Sequence, residues 1–463
     1  RPNGPRARAD GPRGRPAQDG EPAPPYVLSE QSLLAGHPRH PSPKWRSGPP
    51  AAWLRYAPEL GGRFPMRWLA VAEEAVADCV ADGAGFDAHG HVEDLLSGRR
   101  PPAGFRVLPV HPWQFSLARA DRLAGPALAR AFTAGVLVDL GETGRLMYPT
   151  ASVRTLYQPA LDVFHKMSLS VRITNCLRKN APYELAGAVA LTALLAPVSE
   201  RMAVTHPRFA LLPEPASRTV ELPSRLGDRA ERRAVAEACG VIVRGGLRAH
   251  LSDGETALLA GSLIAERPAS GAERWHVSRL VGPDGVEDWW ASYLALLVDP
   301  VLYLWFAHGV ALEPHLQNVL VVLDRTGHPS RMLVRDLEGV KIGPGPHAAA
   351  VAALPPPVAA AIARGEEPGW NRVAYCLLVN HLIEVLAALA DLRPDLERNL
   401  WAAVIGRVEA VSRQLGHPDR LVDLLNGAPL PAKANLLLRW SRRPDRDAFY
   451  VPFRPNPPAG VPR

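Results

Sequence analysis

Polar side chains of types that suit a divalent cation and a phosphate group flank a predicted hairpin between residues 308 and 339. The apolar runs 319–323 and 332–334, separated by a polar turn, predict two antiparallel strands. If they pair, Asn318 before the first strand lies beside Asp336 after the second. Mg²⁺ prefers one or two carboxylates together with phosphate oxygens. The other ligand candidates at this end are Glu313, His315, Gln317 and Arg335. The alternative is a surface hairpin with polar ends.

A second polar pattern, between residues 149 and 178, predicts a site for phosphate. From residue 166 to 174, polar residues alternate with apolar ones, which predicts a half-buried strand with one polar face. Pairing it with the run 149–157 places Ser152 and Arg154 opposite Lys166 and Ser168. Like charges opposite each other are destabilising unless an anion lies between them. We therefore predict a phosphate cradle; a solvated sheet face is the alternative.

Further cationic residues lie outside these two patterns. Arg178 follows the polar strand and could clamp a carboxylate, and a cation there would offset charge in an acyl-transfer step. The loop from residue 36 to 48 contains three prolines, which exclude a helix. It is either a linker or an anion-contacting loop through His37, His40 and Lys44. Lys433 opens a short basic, amphipathic segment and is either solvent-facing or a further anion contact.

The patterning predicts the elements that must position these residues. The predicted helices span residues 66–98, 115–134, 185–195, 288–310, 348–364, 371–392 and 395–415. Besides the two hairpins, short strands are predicted at residues 105–110, 209–212 and 241–243. The helix 288–310 is largely apolar and leads directly into the first hairpin, so we expect it to form the core beneath it.

Length and composition limit the class of protein. The chain has 463 residues, enough for about three domains, with 47% hydrophobic and 21% charged residues. Its four cysteines are far apart, so neither a disulfide framework nor a zinc knuckle is predicted, and a reducing, cytoplasmic setting fits best. Residues 1–25 are rich in Arg, Pro and Gly and predict a disordered tail.

Charge and hydropathy argue against two classes of partner. The net charge of +7 could indicate nucleic acid, but the arginines are spread along the chain without a helix-turn-helix or zinc-finger pattern. We predict no nucleic-acid partner, because small anionic substrates explain the local positive clusters. No uninterrupted apolar run approaches the ~20 residues of a membrane span, so no membrane partner is predicted.

Four blocks, in this order, resemble the NRPS-independent siderophore synthetases of the aerobactin-synthetase type, the IucA/IucC family. They are residues 37–48, the His-Pro-Trp-Gln block 111–114, the double strand 149–178 and the hairpin 313–339. The resemblance covers most of residues 36–440. It implies an α+β fold shaped as a cupped hand. The implied parts are a helical, possibly shortened thumb (26–135), β-rich fingers with the phosphate cradle (136–287), and a palm of kinase-like topology with C-terminal helices (288–463).

The resemblance also implies an activity. Members of this family adenylate a carboxylic acid, often citrate, with ATP and Mg²⁺, release pyrophosphate, and let an amine or hydroxyl attack the acyl adenylate. The expected partners are therefore a carboxylic acid or hydroxamate acid and a polyamine, hydroxylamine or amino acid. The resemblance also implies a homodimer.

The resemblance implies roles for individual residues. Nucleotide contacts are expected from Ser152, Arg154, Thr155, Lys166, Asn175, Glu313 and Gln317. The acid is expected near Thr174, Arg178 and His315, and Mg²⁺ near Asn318, Asp336 and Glu313. Arg178, His315 and Lys166 are the predicted catalytic residues. Adenylation requires no protein nucleophile, so catalysis would consist of positioning and electrostatics.

Two other functions stay open. A kinase-like phosphotransferase would place Glu313, Asn318 and Asp336 in the slots of the catalytic Asp, the Asn and the metal-binding Asp. A Glu in the first slot and the missing glycine-rich loop argue against it. The second alternative is a non-catalytic binder of ferric siderophore or citrate, because the palm region also resembles reductase-like iron proteins.

Overall fold

The computed structural model describes residues 23–34, 36, 40, 47–82, 92–174, 176–265, 273–443 and 448–455. The predictions on His37, Lys44 and Asn175, and on the tail up to residue 22, lie outside the described residues.

The strands lie mainly in the first three quarters of the chain. They are β1 (Phe64–Ala72), β2 (Val76–Val80), β3 (Phe105–Val110), β4 (Leu137–Pro149), β5 (Thr155–Gln158), β6 (Val163–Met167), β7 (Leu169–Ile173), β8 (Cys176–Arg178), β9 (Phe209–Leu211), β10 (Ala216–Val220), β11 (Val241–Arg244), β12 (Thr256–Leu259), β13 (Val310–Ala311), β14 (Val319–Leu323), β15 (Pro329–Val334), β16 (Lys341–Ile342), β17 (Leu430–Lys433) and β18 (Tyr450–Phe453).

The helices dominate the last third. They are α1 (Pro25–Gln31), α2 (Pro50–Tyr56), α3 (Val92–Leu95), α4 (Pro112–Ala120), α5 (Ala124–Thr133), α6 (Pro182–Thr205), α7 (Arg229–Cys239), α8 (Val277–Leu280), α9 (Val286–His308), α10 (Ala348–Ala352), α11 (Pro356–Ile362), α12 (Glu366–Ala374), α13 (Ile383–Leu392), α14 (Glu397–Gln414), α15 (Asp419–Leu425) and α16 (Asn435–Trp440). A π-helix, Tyr375–Leu382, joins α12 to α13. The predicted α+β class is confirmed.

An eight-stranded sheet in the order β2-β10-β11-β6-β5-β4-β1-β3 forms the first half of the molecule. The helix predicted over residues 66–98 is wrong, because β1 and β2 occupy its first part. β1 lies between β3 and β4, and Trp68 and Leu69 are both fully buried. Because both faces of this strand are buried, its residues are apolar almost throughout, and this pattern resembles that of an apolar helix. The predicted boundary near residue 135 crosses this sheet, because β1 pairs with β4.

Other predicted elements are confirmed with changed bounds. The strand at 105–110 is β3. The helix predicted at 115–134 is two helices, α4 and α5, and Asp121 between them accepts hydrogen bonds from the backbone N–H groups of Leu123 (2.9 Å) and Ala124 (2.8 Å). The strands at 209–212 and 241–243 are β9 and β11. The helix predicted from residue 185 begins at Pro182 and continues to Thr205.

The predicted hairpin after residue 318 is confirmed as β14 and β15, with Val319 opposite Val334. It belongs to a four-stranded sheet in the order β12-β14-β15-β9. Beneath the sheet lies α9, whose Trp290 and Tyr293 are fully buried in the largest core of the molecule. A smaller core joins the four-stranded sheet to the eight-stranded one and contains Tyr26, Phe164 and Leu320. The two sheets therefore meet at one end, where the polar residues of both lie.

Three helical segments of the described chain are long and apolar enough to cross a membrane by length and composition: Pro182–Thr205, Val286–His308 and Glu366–Leu392. The sequence-based expectation that no such segment exists is therefore wrong. Asp299 and Pro300 interrupt the second run without lowering its mean hydropathy below that of a span. In the most apolar window of each segment, 39%, 61% and 72% of the residues are buried inside the protein.

Candidate functional site

A cavity of about 560 Å³ opens where the two sheets meet. Every predicted site residue that the structure describes lines it. They are His40, Ser152, Arg154, Thr155, Lys166, Thr174, Arg178, Glu313, His315, Gln317, Asn318, Arg335, Asp336 and Lys433. Residues from the double strand and from the hairpin thus face one space, as the two sequence patterns predict.

The strand pair of the predicted cradle has a different register from the predicted one. Thr155, not Arg154, lies opposite Lys166, and the backbone N–H of Met167 donates to the carbonyl of Arg154 at 3.0 Å. The prediction of a half-buried strand is wrong for β6, because all five residues of this strand are buried. Lys166 is only 1% exposed. The cradle is therefore a buried site at the centre of the molecule.

The cations of the cradle contact carboxylates of the protein. Lys166 Nζ forms ion pairs with Asp336 and, at 2.8 Å, with Glu338. Arg154 Nη2 is 2.9 Å from Glu338, and its Nη1 donates to Asn180 Oδ1 at 2.5 Å. The sequence predicts a clash of like charges between β5 and β6, and the structure relieves it with carboxylates from the segment that follows β15.

These ion pairs fix the charge states of the groups. Burial alone would raise the pKa of Glu338, but Lys166 and Arg154 hold that pKa down at about 2. Lys166 and Arg244 lower the pKa of Asp336 in the same way, against its burial. The pKa of Lys166 is raised, because the nearby carboxylates outweigh burial. The cluster is therefore fully ionised at neutral pH.

Behind Lys166 lies a second layer of charge that the sequence does not indicate. Glu214, fully buried between β9 and β10, accepts from Arg244 Nη2 at 2.6 Å and lies 4.0 Å from Lys166 Nζ. Arg244 Nη2 also lies 3.5 Å from Asp336. Arg244 closes a strand that reads as an ordinary apolar core strand, so no local pattern marks it as a site residue.

The hairpin end has the predicted neighbours. The backbone N–H of Arg335 donates to the Asn318 carbonyl at 3.0 Å, which places Asn318 next to Asp336. Asp336 has a positive φ of 76°, in the left-handed region that only a few non-glycine residues adopt. This turn directs the chain after β15 back toward Lys166.

The donor set at this end suits Mg²⁺ only in part. Both contacts that the structure gives the Asp336 carboxylate are made to Oδ1. Asn318 Nδ2 donates to the Glu313 carbonyl at 3.2 Å, which leaves its Oδ1 as the ligand atom. In the described part of the chain, no group of three His, Cys, Asp or Glu side chains converges as a metal site. One carboxylate and one amide oxygen fit Mg²⁺ that is completed by phosphate oxygens.

Glu313 contacts a cation that the sequence does not single out. Its carboxylate forms an ion pair with Arg372 on α12, and Arg372 also donates to the Gly339 carbonyl at 3.1 Å. Burial and the proximity of Arg372 lower the pKa of Arg364, which also lines the cavity. Arg372 and Arg364 lie on predicted helices, where an arginine reads as a solvated side chain. This side of the cavity is therefore strongly positive.

Arg178 and Thr174 line the same cavity. Arg178 Nη2 donates to Thr174 Oγ1 at 3.4 Å, and Thr174 has a φ of 58°. A β-branched residue rarely adopts this conformation. The arginines of the cavity therefore come from both halves of the chain, one from β8 and others from the helical half.

His315 is a neutral imidazole. Burial lowers its pKa to about 3. Its Nδ1 accepts a hydrogen bond from the backbone N–H of Gln317 at 3.3 Å, so the ring proton belongs on Nε2. In this tautomer Nε2 is a hydrogen-bond donor.

Arg335, a predicted anion contact, is held by the protein itself. Its guanidinium pairs with Glu30 of α1 and donates to Tyr26 Oη at 2.7 Å and to the Gln317 carbonyl at 2.8 Å. Arg335 is only 4% exposed to solvent.

The His-Pro-Trp-Gln block also has a structural role. Gln114 exchanges hydrogen bonds with Ser170 at 3.1 and 2.6 Å and anchors β7.

Solved structures of similar fold include ATP-bound aerobactin synthetase IucA from a hypervirulent pathotype of Klebsiella pneumoniae. It has a TM-score of 0.79 and 24% sequence identity, covering 93% of this chain and 76% of that one. The petrobactin biosynthesis protein AsbB from Bacillus anthracis has a TM-score of 0.74 and 22% identity, covering 92% and 74%. In fold, the chain is an α+β protein of the aerobactin-synthetase type.

Sequence comparison gives the family. Residues 25–265 match the model of the IucA / IucC family, and residues 287–448 match that of the ferric iron reductase FhuF-like transporter. The rhizobactin siderophore biosynthesis protein RhbC of Rhizobium meliloti is 32% identical over 90% of this chain and 72% of its own length. The L-2,3-diaminopropanoate–citrate ligase of Staphylococcus aureus is 31% identical, over 89% and 71%. The chain belongs to the IucA/IucC family, as its motifs predict.

Proposed function

We propose that this chain is an ATP-dependent carboxylate–amine ligase of siderophore biosynthesis. It adenylates a carboxylic acid, citrate or a related polycarboxylate or hydroxamate acid, and condenses it with an amine or hydroxyl. The observation that carries the proposal is one cavity lined by cations from both halves of the chain, among them Lys166, Arg178 and Arg372. The Asp336 carboxylate lies beside Lys166 in the same cavity. The relatives named above, a rhizobactin biosynthesis protein and a citrate ligase, support the same activity.

The cradle would bind the phosphates of ATP. Arg154 and Lys166 are held in place by Asp336 and Glu338, so they are preorganised for an anion that takes over part of these contacts. The hydroxyl groups of Ser152 and Thr155 line the same wall and would add hydrogen bonds. Asn175, Glu313 and Gln317 complete the proposed nucleotide contacts.

Asp336 and Asn318 would hold Mg²⁺ together with phosphate oxygens, with Glu313 as a third candidate. When bound, Mg²⁺ neutralises charge on the phosphate chain and on the departing pyrophosphate. Asp336 suits Mg²⁺ better than Glu313 does, because the Lys166 ammonium keeps the Asp336 carboxylate ionised. Glu313 would first have to leave Arg372.

The acid would be bound by the arginines that line the cavity. Arg178, with Thr174, would hold one carboxylate in line with the α-phosphorus, and Arg372 with Arg364 and Lys433 could hold another. A substrate with more than one carboxylate fits this arrangement. His315, with its proton on Nε2, would donate to the acid. In the same tautomer His315 Nε2 cannot accept the proton that the attacking amine loses.

The reaction has two steps, and each forms one bond and breaks another. A carboxylate oxygen attacks the α-phosphorus, and the bond to the β-phosphate breaks to release pyrophosphate. The amine nitrogen then attacks the acyl carbon, the bond to AMP breaks, and the nitrogen loses a proton. The cations offset the charge that develops in both steps.

The finer predictions on architecture belong to the same proposal. We propose the hand-like division into a thumb (26–135), fingers (136–287) and a palm (288–463), with the cavity between fingers and palm. In this division the thumb and the fingers share the eight-stranded sheet through the pairing of β1 with β4. A cytoplasmic setting and a homodimer are proposed with it.

A second candidate is a non-catalytic binder of a ferric siderophore or citrate. The match of residues 287–448 to the FhuF-like model favours it. It would use the same arginines for carboxylates but would not turn over ATP.

The test is to incubate the protein with ATP, Mg²⁺, hydroxylamine and a panel of acids that includes citrate, 2-oxoglutarate and a succinylated hydroxamate. The proposal expects acid-dependent formation of hydroxamate together with pyrophosphate and AMP. Formation of ADP would support a kinase instead. Binding of an acid or its ferric complex without turnover by any of the acids would support the binding protein and overturn the ligase.

A further inference from the structure

The loop between β13 and β14, residues 312–318, carries Glu313 and His315 and is held almost entirely through its backbone carbonyls. The Glu313 carbonyl accepts from His315 N–H at 2.9 Å, the His315 carbonyl from Asn318 N–H at 2.9 Å, and the Leu316 carbonyl from Gly261 N–H at 3.0 Å. Each of these donors is a backbone group. They fix the path of the loop, but they leave open what holds its third residue, Pro314.

The Pro314 carbonyl, like that of Gln317, is held by a side chain from outside the loop. His381 Nδ1 lies 2.8 Å from the Pro314 oxygen, and its Nε2 lies 2.5 Å from Tyr293 Oη. The peptide unit between Pro314 and His315 is therefore held at both polar groups. Its N–H is bonded to the Glu313 carbonyl within the loop, and its oxygen to His381 from the helical half.

Which atoms donate in the series of hydrogen bonds from Tyr293 through His381 to Pro314 follows from the acceptor at its end. A carbonyl oxygen only accepts, so His381 Nδ1 must carry the proton and Nε2 must be the acceptor. The Tyr293 hydroxyl then donates to Nε2. Burial lowers the pKa of His381 to about 4, so the ring is neutral at physiological pH. His381 and Tyr293 are both fully buried.

The helix that carries His381 has a shape suited to this role. Residues Tyr375–Leu382 form a π-helix between α12 and α13. Such widened turns often occur at functional sites, because the extra residue redirects the side chains of one turn. Here Tyr375, Cys376 and Asn380 line the cavity while His381 reaches the loop behind it.

We propose that His381 is a positioning residue of the active site, and that Tyr293 fixes its tautomer. The chain from Tyr293 through His381 to the Pro314 carbonyl sets the orientation of Glu313 and His315 toward the cavity. His381 itself touches no substrate. The proposal rests on the proposed function for its kinetic consequence, but the tautomer of His381 does not depend on any activity.

The first test is spectroscopic and uses the wild-type protein. Long-range proton–nitrogen correlation of protein labelled with ¹⁵N-histidine reports which ring nitrogen is protonated, and the signal missing in His381→Asn is that of His381. We expect the proton on Nδ1 at pH 7. A proton on Nε2, or on both nitrogens, would overturn the proposal whatever the activity of the variants.

The second test is kinetic and uses acid-dependent pyrophosphate release. His381→Leu removes the donor at similar size, and we expect kcat to fall ~10-fold or more while KM for ATP stays nearly unchanged, because a buried carbonyl loses its partner. His381→Asn supplies an amide N–H near the position of Nδ1 and should restore most of kcat. Tyr293→Phe should lower kcat less than His381→Leu, and Tyr303→Phe on the same helix is the matched control.

The outcomes separate this proposal from the proposed function. If the wild-type protein releases no pyrophosphate with any acid, the ligase is overturned and the tautomer alone decides the role of His381. If the wild-type protein is active, a wild-type kcat in His381→Leu overturns the positioning role. So does a His381→Asn variant that is no more active than His381→Leu.

Discussion

Lys166 is a fully buried ammonium, and its surroundings explain why it is tolerated there. A buried charge is costly unless it is paired and hydrogen-bonded. Asp336 and Glu338 contact it directly, and Glu214 lies 4.0 Å away. Arg178, by contrast, has Thr174 as its partner in the cavity wall. Substitutions at these two cations should therefore differ in their effect on stability.

At the residue scale, we expect Lys166→Ala, Arg178→Ala and His315→Ala each to lower turnover by at least ~10²-fold, since each removes a preorganised polar group that faces the reacting atoms. The measurement is acid-dependent pyrophosphate release at saturating ATP. Arg413→Ala, an exposed residue at the end of α14, is the control and should retain wild-type turnover. Wild-type rates in all three site variants would show that the chemistry occurs elsewhere.

At the scale of elements, α1 is bound to the hairpin by a buried ion pair. Glu30 pairs with Arg335, and its Oε2 accepts from the backbone N–H of Ala151 at 2.9 Å. The helix therefore connects the loop that carries Ser152 to the end of β15. Removing one partner leaves the other charge buried without compensation.

We expect Glu30→Gln or Arg335→Met alone to lower the free energy of unfolding by about 3–5 kcal/mol, because each leaves an unpaired buried charge. The double variant should lose clearly less than the sum of the two single losses. Urea unfolding followed by circular dichroism measures the cycle. Asp395→Asn, which breaks the exposed pair with Arg393, is the control and should leave the free energy of unfolding nearly unchanged. Additive losses at Glu30 and Arg335 would contradict the pairing.

At the scale of the whole molecule, the cavity lies between groups that belong to different sheets. Arg154 and Lys166 come from the eight-stranded sheet, whereas Asn318 and Asp336 flank the hairpin of the four-stranded one. A ligand that binds both sides stabilises their association as well as the site.

We therefore expect ATP with Mg²⁺ to raise Tm, by a stabilisation of about 2.7 kcal/mol when free ATP is 100 times its Kd. ATP with a chelator should raise Tm less. Asp336→Asn should lose the part of the shift that depends on Mg²⁺, while Asp395→Asn should keep it. A shift of equal size with and without Mg²⁺ in the wild-type protein would contradict the proposed metal ligands. Differential scanning fluorimetry is sufficient.

The second prediction at this scale concerns acid. Burial lowers the pKa of His111 and His315 to about 3 and that of His381 to about 4. The unfolded chain binds protons at these groups below about pH 6.5, where the native state does not, so stability must fall as the pH falls below that value. Each histidine contributes a slope of at most about 1.4 kcal/mol per pH unit.

Urea unfolding at pH 7, 6 and 5 measures this slope. His111→Gln should reduce it by up to that amount without changing the cavity, because His111 packs against Tyr56 and Phe64 instead. A slope that does not change in His111→Gln would show that His111 is protonated in the native state.

Much of the site could be predicted from local sequence, because hairpins and alternating strands bring residues together by short-range rules. The register of β14 and β15 follows from two apolar runs and a polar turn, and it places Asn318 next to Asp336. The alternation from Lys166 to Thr174 marked the cradle, although the observed pairing is shifted by one residue. The four blocks of motifs were sufficient to identify the family.

The tertiary structure decided how the charges are balanced and which element carries each wall. The helical propensity of residues 66–80 was overridden because β1 is buried between two strands. Arg244, Glu214, Glu338 and Arg372 carry no local signal, since an isolated charged residue reads as solvent-exposed until packing places it inside. The sequence by itself therefore determined the hairpin and the residues at its end, and it marked Arg154 and Lys166 as neighbouring cations. Only the packing of two sheets determined that Lys166 meets Asp336, because ion pairing between residues 170 positions apart depends on long-range burial.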